Sequence, residues 1–312
     1  MKIEVDLDKK REIEVGDGGR VKFRLRDIAV EPGSKVNLKK DFDPDFTGGY
    51  EDKAGALEHV AKNVERLSAM QETLYAQDIY SVLFIFQAMD AAGKDGAIRH
   101  VMSGINPQGC QVTSFKAPSA DDLDHDYLRR ASVALPGRGM IGIFNRSYYE
   151  EVLVVRVHPE LLVKQKLPPQ ARGKDVWEKR YKEINNFEKY LRRNGTIVVK
   201  FFLNVSKEEQ KKRFLARIDE PDKNWKFSPA DFAERKHWDD YQGAFEDMLS
   251  NTSTDWAPWF VIPADNKWFA RLAISEVVTA VFEKLNLKMP EVDDARKAEL
   301  ALIRAELLAE KD

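Results

Sequence analysis

Leu83-Phe84-Ile85-Phe86-Gln87-Ala88-Met89-Asp90-Ala91-Ala92-Gly93-Lys94-Asp95-Gly96 decides the fold. An apolar run stops, a loop of small residues follows with one Asp and one Lys, and a helix-like pattern begins at Gly96. That is the layout of a phosphate-binding P-loop between a strand and a helix. Few other short loops explain a Lys directly after a Gly at such a turn. The stretch therefore predicts phosphoryl chemistry rather than redox or ester chemistry.

The loop departs from G-x-x-x-x-G-K-[ST] at two places. Ala88 stands for the first Gly, which is tolerable if that position needs no positive φ. Asp95 stands for the Ser/Thr that normally holds Mg²⁺. Backbone N–H groups over Ala91, Ala92, Gly93, Asp95 and Gly96 still form an anion nest at a helix N-terminus, and Lys94 reaches the phosphate oxygens. A carboxylate beside phosphates repels them unless a cation sits between. Asp90 thus points to a metal, with Asp95 as the alternative for that role or as a brace for the loop.

Outward from the loop, Leu57, Val60, Ala61, Val64, Leu67 and Leu74 predict a helix over 54–77. Residues 80–86 read as a strand covered on both faces. Strands are expected over 111–115, 140–144, 196–204 and 260–263. Helices are expected over 121–134, 177–193 (closed by Asn194-Gly195), from Ser206 with Glu209 at the capping-box position, from Ser228-Pro229, and over 270–285. The spacing over 152–157 fits helix or strand. This alternation gives an α/β fold with three layers, α/β/α, around a parallel sheet. The chain reads as a single P-loop kinase domain, 1–312. It has an N-terminal arm over 1–53, a helical lid over 207–240 and a C-terminal extension over 286–312 with Leu300, Ile303 and Leu307 on one stripe.

The second motif is Asn145-Arg146-Ser147-Tyr148-Tyr149-Glu150-Glu151, at the end of the 140–144 strand. Open α/β sheets bind ligands at such edges. Asn145 occupies the place of the Walker B acid, and Arg146 can clamp phosphate in bidentate fashion. Glu150 and Glu151 either orient metal or nucleotide or are simply solvated. Tyr148 and Tyr149 are packing residues, and His158 carries no chemistry.

Charge is uneven. The 312 residues sum to −2, yet 161–236 hold 20 Lys/Arg against 11 Asp/Glu. A basic segment in a mildly acidic chain suggests a local polyanion site, not a nucleic-acid surface. Arg213 and Arg217 share a helix face, Pro221 breaks that helix, and Lys223 and Lys226 follow at the bend. A lid closing over phosphates fits this pattern and keeps out water; an ordinary charged hairpin is the alternative. Trp225, Phe227, Trp238 and Tyr241 are expected to anchor its base. Lys116, at a strand end, extends the cationic path. One cysteine, Cys110, excludes an intrachain disulfide. No apolar run approaches a membrane span. A reduced, cytoplasmic enzyme with no membrane partner is the simplest expectation.

With these residues in view, the chain resembles the polyphosphate kinase 2 family. The resemblance rests on 87–96, Asn106-Pro107-Gln108-Gly109, Thr113-Ser114-Phe115-Lys116-Ala117-Pro118, 144–149, Lys226-Phe227-Ser228-Pro229 and Trp238-Asp239-Asp240-Tyr241. It implies a core like that of thymidylate kinase, Mg²⁺ (with Mn²⁺ as a substitute), and a homo-oligomer, dimer or tetramer. It implies phosphate transfer between inorganic polyphosphate and AMP, ADP or ATP, with Asp90, Lys94, Asn145 and Arg146 as catalytic residues. Many members carry Asp where this chain has Asn145. Phe-Asn-Arg followed by two acids is similar to the subgroup that phosphorylates both AMP and ADP. Two other functions are weighed against this one: an ATP-dependent nucleoside or nucleotide kinase on the same core, and a non-catalytic polyanion-binding protein. Lys94→Ala removes the loop cation and keeps most loop amides. Turnover is expected to fall at least ~100-fold, as for loss of a transition-state donor, in a steady-state assay; a folded variant at near-normal rate would refute the assignment.

Overall fold

The computed structural model of the chain describes residues 7, 10–15, 19–51 and 53–310. Seven strands are described: β1 (Lys10–Val15), β2 (Gly19–Arg24), β3 (Ser81–Ala88), β4 (Cys110–Ser114), β5 (Ile141–Asn145), β6 (Thr196–Asn204) and β7 (Trp259–Pro263). β1 and β2 pair as an antiparallel hairpin. The other five form one wholly parallel sheet in the order β4-β5-β3-β6-β7. β3 is central, and its side chains from Ser81 to Gln87 are buried. An unbroken apolar run suits it because helices cover both faces.

Helices Lys53–Gln77, Lys94–Val101 and Lys267–Leu285 lie together on one face. Asn63 joins the first to the last by donating to Ser275 Oγ (3.1 Å) and Glu276 Oε1 (2.6 Å). Helices Val176–Arg193 and Trp238–Thr252 pack on the other side. Phe201 of β6 stacks on Phe86 of β3 at 5.0 Å, and Phe202 stacks on Phe245 at 4.3 Å. Each such buried ring contributes roughly 1.5–3 kcal/mol through burial.

The three-layer parallel expectation holds. Asn194 caps its helix, with Gly195 at φ +86° as expected of that pair. Two local expectations are corrected and one open choice, over 152–157, is settled as helix. The helix expected over 121–134 is two short ones, Ala120–Leu123 and Arg129–Val133. Asp126 Oδ1 accepts the Leu128 N–H, and Arg180 stacks on the Tyr127 ring at 4.5 Å, which holds the break. The segment 148–157 is helical, a 3₁₀ turn over Tyr148–Val152 and an α turn over Val154–Val157. Ser206 Oγ does accept from Glu209 N–H (3.0 Å), but the Glu209 carboxylate turns away to Arg213.

The arm is partly structural. Residues 1–6, 8–9, 16–18 and 52 lie outside the described residues. Leu25, Ile28, Val36, Leu38 and Tyr50 are buried. Val30 N–H donates to Trp259 O (2.9 Å) and Ala29 bridges Phe260, so the arm seals the outer edge of β7. The helix Asp294–Ala309 lies at the other end of the chain and is exposed along its whole length, its Leu300–Ile303–Leu307 stripe included; residues 311–312 are outside the described residues.

β5 leads into the second motif, and Pro136 packs closely on it at Gly142. A Cβ there would sit 2.8 Å from Pro136 Cδ. Gly142→Ala is expected to destabilise the protein by ~1–3 kcal/mol through overpacking, measured as a lower urea midpoint at unchanged slope.

Candidate active site

The sheet order places a crevice between β3 and β5. From β3 the chain crosses toward β4, and from β5 it crosses the opposite way to β6. Neighbouring strands that diverge so leave a gap at their carboxyl ends, where ligands bind. Phe86 of β3 is in register with Asn145 of β5, and the Arg146 N–H donates to Phe86 O (3.0 Å). The two motifs therefore meet.

The P-loop follows β3 directly. Ala88 is the last residue of β3 with no positive φ, so a Gly is not required there. The reversal is made further on, by Ala91 (φ +61°) and Gly93 (φ +104°). The first backbone bond of the next helix runs from Ala97 N–H to Gly93 O, so the N–H groups of Lys94, Asp95 and Gly96 have no backbone acceptor. Lys94 is buried, and its Nζ donates to Ala88 O (3.3 Å). Burial, and next the nearby Arg146 guanidinium, push the Lys94 ammonium below its ordinary range; Asp90, Glu150 and Asp95 oppose this.

Arg146 Nη2 donates to Asp90 Oδ1 at 2.7 Å, and Nη1 lies 4.0 Å from Glu150 Oε2. Asn145 Nδ2 donates to Asp95 Oδ1 at 2.7 Å. The two loop carboxylates are thus each matched to one residue of the β5 motif. The opening above them is a cleft of about 690 Å³. Its lining includes the whole Asp90–Gly96 loop, Lys116 and, from the 207–240 segment, Arg217, Lys223 and Lys226. Eight Lys/Arg and three Asp line it in all.

Several expected site residues are placed differently. Arg213 is buried, and its donors are spent on protein acceptors. Nη1 donates to Ala91 O (3.1 Å) and Ala92 O (2.7 Å), Nη2 to Ala264 O (2.6 Å) and Asp265 O (3.0 Å), and Nε to Glu209 Oε1 (2.8 Å). It edges the cleft as a clasp on the loop's carbonyls, which turns the loop's N–H groups the other way. Glu151 does not face the cleft. The 3₁₀ turn rotates it into the core, where it is ion-paired with Arg180 and accepts from Gln165 Nε2 (2.7 Å). Glu150 stays beside Arg146 and accepts from Gln87 Nε2 (3.0 Å). Trp225 anchors nothing; it is 78 % exposed on the cleft wall, with Lys226 Nζ 5.0 Å from its ring centre. Trp238 and Tyr241 are buried at the lid base, and Phe227 meets Phe214 edge-on at 6.2 Å.

Three residues were not singled out from the sequence. Asp231, in the short helix Pro229–Glu234, lines the cleft 3.7 Å from Arg217. Burial, and next the neighbouring Asp90, raise its carboxyl above the ordinary range. Lys267, at the start of the last long helix, lines the opposite rim. Gln210 Nε2 donates to Asp90 O (2.9 Å), a second brace on the loop. Asp231 sits where a first-turn acid is expected at any helix, so it carried no special signal.

A P-loop facing a strand-end Arg, with further cations lining the cleft, is a phosphoryl-transfer arrangement, and comparison with known proteins agrees. The family model Polyphosphate kinase 2 (PPK2) matches residues 50–290. The chain belongs to the polyphosphate kinase 2 family. It is 54 % identical over 292 residues to a Rhodopseudomonas palustris protein named ADP-polyphosphate phosphotransferase, covering 92 % of this chain and 100 % of that one. It is 43 % identical over 272 residues to a Meiothermus ruber protein named AMP/ADP-polyphosphate phosphotransferase, covering 87 % and 97 %. The crystal structure of Polyphosphate Kinase 2 from Arthrobacter aurescens TC1 superposes with a TM-score of 0.79 at 41 % identity, covering 88 % of this chain and 95 % of that one. The fold of this family member is accordingly the P-loop kinase fold, and the sheet order above is its parallel core.

The clasp role of Arg213 separates it from a phosphate grip. Lys keeps the charge but cannot fork between four carbonyls. Arg213→Lys is expected to cost ~2 kcal/mol of stability as charge-assisted bonds to buried carbonyls are lost, and about tenfold in kcat as the loop loosens. Chemical denaturation and steady-state rates check both; a variant of parental stability would return Arg213 to the phosphate-contacting set.

Proposed function

We propose that this polyphosphate kinase 2 moves the terminal phosphoryl group of inorganic polyphosphate to AMP and to ADP, forming ADP and ATP, and that the reaction is reversible. A terminal phosphate oxygen of the nucleotide attacks the end phosphorus of the chain. The bridging P–O bond breaks, and the shortened polyphosphate leaves with the electron pair. The observation that carries this reading is the excess of cations along the cleft, eight against three acids. A single triphosphate needs only the loop and one or two clamps. A repeating anion needs a continuous path, and Lys116, Arg217, Lys223, Lys226 and Lys267 extend it beyond the loop. The names of the two relatives support the donor and the acceptors.

In this reading the loop amides and Lys94 hold the phosphates nearest the reacting bond, and Arg146 balances the charge that spreads over the transferred group. Arg146 leaves Asp90 for phosphate as substrate enters. The lid residues Arg217, Lys223 and Lys226 grip the chain and exclude water. The donor set fits Mg²⁺. Among the described residues no group of three or more His, Cys, Asp or Glu gathers into a cage of its own, and Mg²⁺ takes one or two carboxylates and completes its shell with water and substrate phosphates. Asp90 is the carboxylate placed to hold it, with Asp231 opposite on the lid. The ion supplies charge neutralisation at the phosphates.

Use of both AMP and ADP follows from a strand edge that is less acidic than Asp at 145 would make it. Asn145 is neutral and occupied with Asp95, and Glu151 is withdrawn, so Glu150 is the one acid of that turn near the acceptor. The test is an initial-rate assay with long-chain polyphosphate and Mg²⁺, without ATP, on AMP and ADP separately. Product is expected from both. ADP use without AMP use would remove the dual specificity and leave the donor standing. AMP phosphorylation that needs ATP and ignores polyphosphate would favour the ATP-dependent kinase.

A further inference from the structure

One buried charged cluster has no part in the site so far. Lys200, mid-way along β6, and Glu188, in the helix Val176–Arg193, are both fully buried. Lys200 Nζ donates to Glu188 Oε2 (2.7 Å), Tyr149 Oη (2.9 Å) and Thr252 O (2.7 Å). These three bonds use every proton of the ammonium. Glu188 Oε1 accepts from the hydroxyls of Tyr148 (2.9 Å) and Tyr149 (2.8 Å). A buried ion pair is a poor source of stability, because apolar residues of the same volume often do as well. Its value lies in direction: hydrogen bonds fix where their partners stand.

The partners here are telling. Tyr148 and Tyr149 lie two and three residues after Arg146. Arg146 itself has φ +62°, a conformation a non-Gly residue keeps when its surroundings enforce it. The turn is pinned in front by the Arg146 N–H bond to Phe86 O and within by Tyr149 N–H to Ser147 Oγ (3.1 Å). Behind, both tyrosine hydroxyls bond to the Lys200–Glu188 pair, and that of Tyr149 also meets the Thr252 and Trp259 side chains. The rings are held separately, Tyr149 edge-on to Trp259 at 4.8 Å and Tyr148 edge-on to Phe187 at 5.6 Å. Packing holds the ring faces, and the hydroxyl bonds hold the far ends of both side chains.

We propose that Lys200 and Glu188 are positioning residues, which act through the hydroxyls of Tyr148 and Tyr149 to fix the 145–150 turn and so aim Arg146 at the phosphate cleft. The inference rests on Arg146 being the phosphate clamp of the proposed function. Tyr149→Phe and Tyr148→Phe keep the rings and remove one hydroxyl each. Tyr149→Phe, which loses bonds to both ions, is expected to lower kcat about five- to tenfold with the polyphosphate KM within about twofold, the pattern of a contact made in the transition state. Tyr148→Phe should show a smaller loss of the same kind.

A double-mutant cycle separates positioning from simple core stabilisation. In an Arg146→Lys background, Tyr149→Phe is expected to cost less than about twofold, because the group it aims is already gone. A purely structural hydroxyl would give the same loss in both backgrounds, following the melting temperature. Parental kcat in both tyrosine variants, or equal losses in the two backgrounds, overturns the inference. Arg146→Lys at the parental rate overturns the clamp, and the inference falls with it. A slow Arg146→Lys beside full-rate tyrosine variants rejects the inference and leaves the clamp standing.

Discussion

Asp90 and Arg146 join the ends of two strands that the sequence separates by more than fifty residues. Their 2.7 Å ion pair closes the crevice between β3 and β5 at its base. It also solves an electrostatic problem. A site built to bind polyanions must hold many cations close together, and they repel one another when it is empty. The acids Asp90, Asp95 and Asp231 each sit against a partner, Arg146, Asn145 and Arg217. Asp90 and Asp231 thus offset two of the cations that line the cleft, and the cations are gathered before any ligand is present.

The geometry of the loop is enforced from outside it. Ala91 holds φ +61° although it is not Gly. Arg213 ties the carbonyls of Ala91 and Ala92, and Gln210 ties that of Asp90. Both come from one helix, Lys207–Asp219, that also leads into the lid. Arg235, near the far end of the 207–240 segment, donates to Gln210 Oε1 (2.7 Å). The 207–240 segment and the loop are therefore joined through Gln210, which bonds to both Asp90 O and Arg235.

The sheet and its P-loop were legible because both are local. An apolar run, a small-residue loop and a Lys after Gly sit within fourteen residues. The cationic excess was legible because charge can be counted along a segment. What the sequence hides is the direction of a side chain. Arg213 and Arg217 share a helix face at four-residue spacing, yet Arg213 is buried on the carbonyls of the loop, and Arg217 turns to Asp231 and Lys226 O across the 217–231 bend. Glu150 and Glu151 are neighbours, and a 3₁₀ turn sends one to Arg146 and the other into the core. Asp231 and Lys267 reach the cleft only through long-range folding, from elements that look unremarkable in isolation. The break at 124–128 depends on Arg180, more than fifty residues downstream.

The way the arm lies along β7 bears on how this protein can be handled. Strand edges that are open recruit other strands. Here residues 29–30 occupy the backbone positions along Trp259 and Phe260, and Leu25, Ile28, Val36 and Leu38 are buried in the core. Trimming the chain back to residue 50, where the family match begins, would strip that cover and leave an apolar strand bare. The helix at 294–309 covers no strand edge of its own chain and is exposed along its length. Fusion partners, immobilisation tags and surface attachments belong at that end, where they load no strand and leave the cleft open.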